Sequence, residues 1–178
     1  MGCSGFIYAL KLAESLLKKS KKSLGLIICS DTYTKFITKN NKSCRPIFSD
    51  ASASILLKKS NKNSIGPFDF GVDGSGYEDL LLKNFSTNIF MNGPKIAIFT
   101  LNKIPNFIQK FLKKNYLDKK VKYIALHQAS KFVFEKITNK LNFDKKIFLN
   151  NYQKVGNTVS ASIPILIEDA YKKKKFKK

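Results

Sequence analysis

A strand-length apolar run, Tyr123-Ile124-Ala125-Leu126, ends on His127 and passes through Gln128-Ala129-Ser130 into helical spacing, with Val133, Ile137 and Leu141 on one face. A short apolar run that hands over to a 3.6-residue period marks a strand feeding a helix, and a chain made of such units folds as an α/β structure. The same alternation recurs along the chain. Phe6, Ile7, Leu10, Ala13, Leu16 and Leu17 predict an amphipathic helix over residues 4–19, closed by Lys18 and Lys19, whose charges suit a helix C-terminus. Leu24-Gly25-Leu26-Ile27-Ile28-Cys29 reads as a buried strand, with Cys29 a core residue. Short strands are expected at residues 46–48 and 54–57, and another over 65–72. Gly71, Gly74 and Gly76 around Asp73 predict a turn; no Gly-Lys-Ser/Thr follows to make a phosphate loop. Asn92-Gly93-Pro94 opens a helix that runs to about residue 114, which Pro105 is expected to kink or break. Strands at 121–126 and 146–149, helices at 129–141 and 159–171, and a solvated lysine tail at 172–178 complete the reading.

Composition narrows the function classes. With 178 residues, 43% of them hydrophobic, and 15 phenylalanines, the chain has enough apolar mass for one domain or two small ones. Three cysteines, an odd number, and no secretory leader pattern point to reduced thiols in the cytoplasm. No apolar run reaches membrane-spanning length, so no membrane partner is expected. The formal charge of +21 invites a nucleic-acid reading, but Arg45 is the only arginine among 33 basic residues. Arginine is the usual reader of guanine, and the lysines lie in short scattered clusters, so solvated faces are the better reading and nucleic acid is not the expected partner. A basic surface also suits an acidic protein or a phosphorylated carrier. One histidine and dispersed cysteines argue against a zinc site.

Three residues carry candidate chemistry. His127 is the only side chain whose ordinary pKa lies near neutrality, and it ends a strand, where α/β proteins bind ligands. Cys3 opens a helical pattern, where unpaired backbone N–H groups and the helix dipole favour a thiolate. Asn157 stands in Gly156-Asn157-Thr158. A cysteine, a histidine and an asparagine distant in sequence can meet as a nucleophile and its partners. Taken singly, the same residues read as a small buried cysteine, a satisfied core histidine and a cap or turn asparagine.

Their motifs occur together and in order: Cys3-Ser4-Gly5-Phe6, Phe48-Ser49-Asp50-Ala51-Ser52-Ala53, Asp73-Gly74-Ser75-Gly76, Met91-Asn92-Gly93, His127-Gln128-Ala129-Ser130 and Gly156-Asn157-Thr158-Val159-Ser160. In this the chain resembles the β-ketoacyl-acyl-carrier-protein synthase III family of thiolase-like condensing enzymes. The resemblance implies a thiolase-like α/β fold of αβαβα layers, truncated at both ends. Residues 1–60 would be the remnant of the N-terminal half, and residues 61–178 the C-terminal half without its last strands. It implies that Cys3 takes an acyl group from acyl-coenzyme A as a thioester. His127 and Asn157 would bind the thioester carbonyl of malonyl-acyl carrier protein, promote loss of carbon dioxide and stabilise the enolate that attacks the acyl-cysteine. Imidazole and carboxamide N–H groups suit that role because they stabilise developing charge without placing a full charge in the pocket. No cofactor or metal is implied beyond these substrates. The implied partners are acyl-CoA, the acyl carrier protein, and a second copy or a complementing chain. Ser49, Ala51 and Ala53 replace family glycines, and Ser130 replaces an asparagine. With the first strands missing, sheet edges and apolar faces stay uncovered, so the chain by itself is expected to be poorly soluble or inactive. The alternatives are a synthase III-like enzyme for a specialised acyl product, such as a surface-polysaccharide modification, and a non-catalytic gene fragment or basic binding module.

Overall fold

The computed structural model describes residues 1–61, 65–83 and 88–176. A single 3-10 turn, Gly2–Ser4, leads into helix α1, Gly5–Lys19. Phe6 is buried on its inner face, with Ile7, Leu10 and Ala13 beside it. The helix stops where Ser20 turns extended, with Lys18 and Lys19 in the last turn. Strands β1, Leu24–Asp31, and β2, Ala51–Lys58, pair antiparallel, with Ile27 opposite Ile55 and Cys29 opposite Ala53. These inward residues pack on α1 and on Ile163 and Ile167 of the last helix. Burying a side chain such as Ile27 is worth about 1.5–3 kcal/mol, so this layer anchors the first third of the chain. The outward residues of the same ribbon are also apolar: Leu26 and Leu56 stand opposite each other, 59% and 65% exposed. Apolar residues on both faces are the pattern of a sheet covered on both sides; here one side is covered.

Strands β3, Leu80–Leu81, and β4, Phe90–Met91, form a short antiparallel pair that leads into helix α2, Gly93–Lys114. Asn92 caps α2, its side-chain oxygen accepting from the Lys95 N–H at 3.3 Å, with Pro94 in the first turn. Of the kink or break expected at Pro105, the break does not occur: the helix continues through it. A proline has no N–H for the carbonyl four residues earlier, which here belongs to Leu101. The Lys140 ammonium of the neighbouring helix donates to that Leu101 carbonyl at 2.9 Å. Strand β5, Ile124–Ala125, helix α3, Lys131–Leu141, and strand β6, Phe148–Leu149, make a parallel strand–helix–strand unit. Phe134, Ile137, Leu141 and Phe148 form its core, with Leu101, Ile104 and Ile108 of α2 packed against them. A short helix α4, Tyr152–Val155, and a 3-10 turn, Val159–Ala161, precede helix α5, Ser162–Lys172. Pro164 falls in the first turn of α5, where its missing N–H leaves nothing unpaired.

Several expectations are corrected. Residues 65–72 form no strand. Their rings pack instead: Phe68 stacks on Phe70 at 6.1 Å, Phe70 lies 4.4 Å from Tyr8, and Lys11 sits over Phe68. Residues 46–48 contribute a single parallel bridge, Phe48 to Asn157. The strands expected at 121–126 and 146–149 shrink to two residues each. The lysine tail is docked through residue 176: Tyr123 donates to the Lys175 carbonyl at 2.7 Å, and the Phe176 ring meets Tyr123 edge-on at 5.4 Å. Residues 177–178 of that tail lie outside the described residues.

Candidate active site

The Val159–Ala161 turn is the hub of the site, and its entry is built by glycine. Gly156 has φ +64°, and a Cβ there would lie 2.5 Å from Ser49 Oγ and 3.2 Å from the Ile47 carbonyl. Without a side chain at 156, the backbones close up. Asn157 N–H donates to Ile47 O at 3.0 Å, and Ser49 N–H donates to Asn157 O at 2.9 Å. Ser49 is accommodated because it faces this glycine; its hydroxyl donates to Val155 O at 2.5 Å.

Val159 is fully buried and left-handed, with φ +52°. For a β-branched residue this is strained, by about 1–3 kcal/mol. The conformation points its N–H at Asn157 Oδ1, 3.0 Å away. That bond occupies the carboxamide oxygen and fixes the amide's orientation, so buried Asn157 offers its nitrogen as a hydrogen-bond donor.

Cys3 packs against the cluster that contains Val159, Phe48 and Met91. Its turn lies against the Val159–Ala161 turn, close enough that a Cβ on Gly5 would be 3.4 Å from Ser160 Cβ. Burial, and after it the negative charge of Asp31, push the Cys3 thiol up to about 11. The thiolate expected from a helix start is therefore corrected: enclosure outweighs the dipole, and the free thiol keeps its proton at neutral pH.

His127 follows β5. Its neighbour Gln128, 0% exposed, pins it: the Gln128 N–H donates to Ser162 Oγ at 2.9 Å, its Nε2 to Leu126 O at 2.7 Å, and its Oε1 accepts from Asn151 N–H at 3.2 Å. Burial pushes the His127 pKa down to about 4, so the ring is neutral at pH 7. Both ring nitrogens are enclosed, and neither has a hydrogen-bond partner among the described residues. A buried polar group without a partner calls for an explanation, and a bound ligand is one.

The three sequence-predicted residues thus attach to one segment. Asn157 and Cys3 meet Val159 or its cluster, and His127 is tied through Gln128 to Ser162. Sequence reasoning passed over Asp31 and Gln128. Asp31 accepts from the Ser160 N–H at 3.0 Å and from the Ser160 hydroxyl. Its only signal in the sequence was a polar residue ending a strand.

A family model described as 3-oxoacyl-[acyl-carrier-protein (ACP)] synthase III matches residues 1–74, and its C-terminal counterpart matches residues 112–178. The chain belongs to the synthase III family. It is 33% identical to the β-ketoacyl-[acyl-carrier-protein] synthase III of Lactococcus lactis subsp. lactis over 96% of this chain and 57% of that protein. It is 33% identical to the same enzyme of Enterococcus faecalis over 94% of this chain and 55% of that protein. Among solved structures it is similar to the Aquifex aeolicus 3-oxoacyl-[acyl-carrier-protein] synthase III, with TM-score 0.91, 30% identity, and coverage of 99% of this chain and 58% of that chain. A second synthase III structure superposes with TM-score 0.92 and covers 100% of this chain and 60% of that chain. The fold is therefore the thiolase-like layered α/β fold of these synthases. This synthase III chain spans a little over half the length of the relatives it matches. No described helix is long and apolar enough to cross a membrane.

Proposed function

We propose that this chain carries the Cys-His-Asn site of a decarboxylating condensing enzyme that makes 3-oxoacyl-acyl carrier protein in fatty-acid biosynthesis. The observation that carries the reading is the donor pair: a neutral, buried His127 whose two ring nitrogens have no partner among the described residues, and an Asn157 whose amide is fixed as a donor. Such a pair suits an oxygen that gains negative charge during reaction. Cys3 Sγ attacks the acyl-CoA carbonyl, the carbon–sulfur bond to coenzyme A breaks, and the Cys3 proton leaves with the coenzyme A thiol. Malonyl-acyl carrier protein then loses carbon dioxide, and the electron pair of the broken carbon–carbon bond moves onto the thioester oxygen held by His127 and Asn157. The resulting enolate carbon attacks the acyl-Cys3 carbonyl and expels the Cys3 thiolate.

Both reactants arrive as activated thioesters, so the chemistry needs no cofactor of its own. The net charge of +21 favours an acidic carrier protein as the donor. We place the reaction in the cytoplasm and expect a homodimer or a complementing chain to complete the enzyme. The test is mass spectrometry after incubation with acetyl-CoA, on the chain alone and co-expressed with the unmatched remainder of the Lactococcus lactis relative. An acyl adduct on Cys3 that vanishes in Cys3→Ala supports the reading. No adduct in either preparation, or an adduct only on Cys29 or Cys44, sinks it.

A further inference from the structure

Asp31 is the last residue of β1, paired opposite Ala51 and so mounted on the rigid ribbon. The chain carries +21 charges, yet Asp31 takes part in none of the ion pairs among the described residues. Its carboxylate is instead spent on one residue, accepting both the N–H and the hydroxyl of Ser160 through the same oxygen. Charge-assisted bonds of this kind are about twice as strong as neutral ones. Ser160 directly follows the left-handed Val159, whose N–H holds the Asn157 carboxamide. A strained backbone persists only where its surroundings over-determine it; beside the packing of buried Val159, the bonds from Ser160 to Asp31 tie this turn to β1.

We propose that Asp31 is a positioning residue: by clamping Ser160 it holds the left-handed turn at Val159, and through the Val159 N–H it keeps Asn157 aimed as a donor. This role rests on the proposed condensation. The same carboxylate also helps keep the neighbouring Cys3 thiol protonated until transfer.

The test compares Asp31→Ala, Asp31→Asn and Ser160→Ala with the parent chain, each alone and co-expressed with the remainder of the Lactococcus lactis relative. Two readouts are taken: hydrogen–deuterium exchange of the amides of residues 157–161, and the rate of malonyl-acyl carrier protein decarboxylation per folded molecule. Asp31→Ala is expected to speed exchange at the Val159 and Ser160 amides at least tenfold, while the amides of α5 keep their protection. It is expected to lower kcat on the order of tenfold to a hundredfold with KM within about twofold, because the amide is needed for the reacting oxygen rather than for substrate capture. Asp31→Asn keeps an acceptor oxygen and should recover most of both. Unchanged exchange in Asp31→Ala overturns the clamp. Faster exchange with unchanged kcat overturns the positioning role, as does a loss that Asn fails to rescue. If the parent chain decarboxylates nothing in either preparation, the functional reading fails and the positioning role with it, while the exchange data still report on the clamp.

Discussion

His127 should make the fold acid-sensitive by an amount that its burial sets. The ring titrates at about 4 in the folded chain against an ordinary 6.5, and desolvation is the cause. The folded pKa is depressed, so between these values the unfolded chain binds the proton and the folded chain refuses it. The contribution is therefore fully present above pH 6.5 and is lost as pH falls toward 4. At about 1.4 kcal/mol per pKa unit, the loss reaches about 3 kcal/mol at pH 4, a large share of the 5–15 kcal/mol typical of a domain. Urea denaturation at pH 7 and pH 4 measures it, with His127→Gln as the reference. Glutamine does not titrate, and the carboxylates common to both proteins cancel in the difference. The parent chain should lose about 3 kcal/mol more than His127→Gln over this range. Equal losses, or an imidazole that titrates near 6.5 by NMR, would refute the burial argument and the neutral donor it supports.

The Cys3 thiol is pushed up to about 11 from 9.0, which lowers its thiolate fraction at pH 8 about a hundredfold. Iodoacetamide should therefore label Cys3 about a hundredfold more slowly in the folded chain than in urea, and comparable rates would contradict that. Lys140→Met strips the Leu101 carbonyl of its donor and should destabilise by about 1 kcal/mol. In a Pro105→Ala background the effect should shrink, because the restored N–H at 105 serves the same carbonyl; strictly additive losses would show that Lys140 plays no such part. Gly156→Ala should cost several kcal/mol, on the order of a severe core mutation, because its Cβ meets Ser49 Oγ at 2.5 Å on a left-handed backbone. Ser49→Gly should recover only the steric share, and a Gly156→Ala chain of parental melting temperature would remove the argument for close approach.

What the sequence disclosed followed the reach of its signals. The helices at α1, α2 and α3 repeat their apolar residues every three or four positions, so local spacing revealed them. The strand at β1 was visible because its apolar residues run together. The motifs carrying Cys3, His127 and Asn157 identified the family before any contact was known. Other features were set by partners remote in sequence. Pro105 is tolerated because Lys140 serves the orphaned carbonyl, and nothing near residue 105 announces that. Residues 65–72 have strand-like composition, but Phe68 and Phe70 pack on α1 and the segment pairs with none of the described strands. Asp31 and Ser160 stand 129 positions apart, so a strand-end aspartate carried no sign of the turn it would clamp. The pKa of Cys3 is likewise a product of enclosure, which overrode the local argument from the helix dipole.

The proposed site divides the work: the Cys3 thiol carries the acyl group, while the His127 imidazole and the Asn157 carboxamide hold the malonyl thioester oxygen as the nucleophilic enolate forms. The measurement that tests this most directly is mass spectrometry of both the acyl carrier protein and this chain after incubation with acetyl-CoA and malonyl-acyl carrier protein. The parent chain, co-expressed with the unmatched remainder of the Lactococcus lactis relative, should yield the 3-oxoacyl product. His127→Ala and Asn157→Ala should instead accumulate acyl-Cys3 without product, and Cys3→Ala should form neither. Product from His127→Ala or Asn157→Ala at the parental rate would contradict the account.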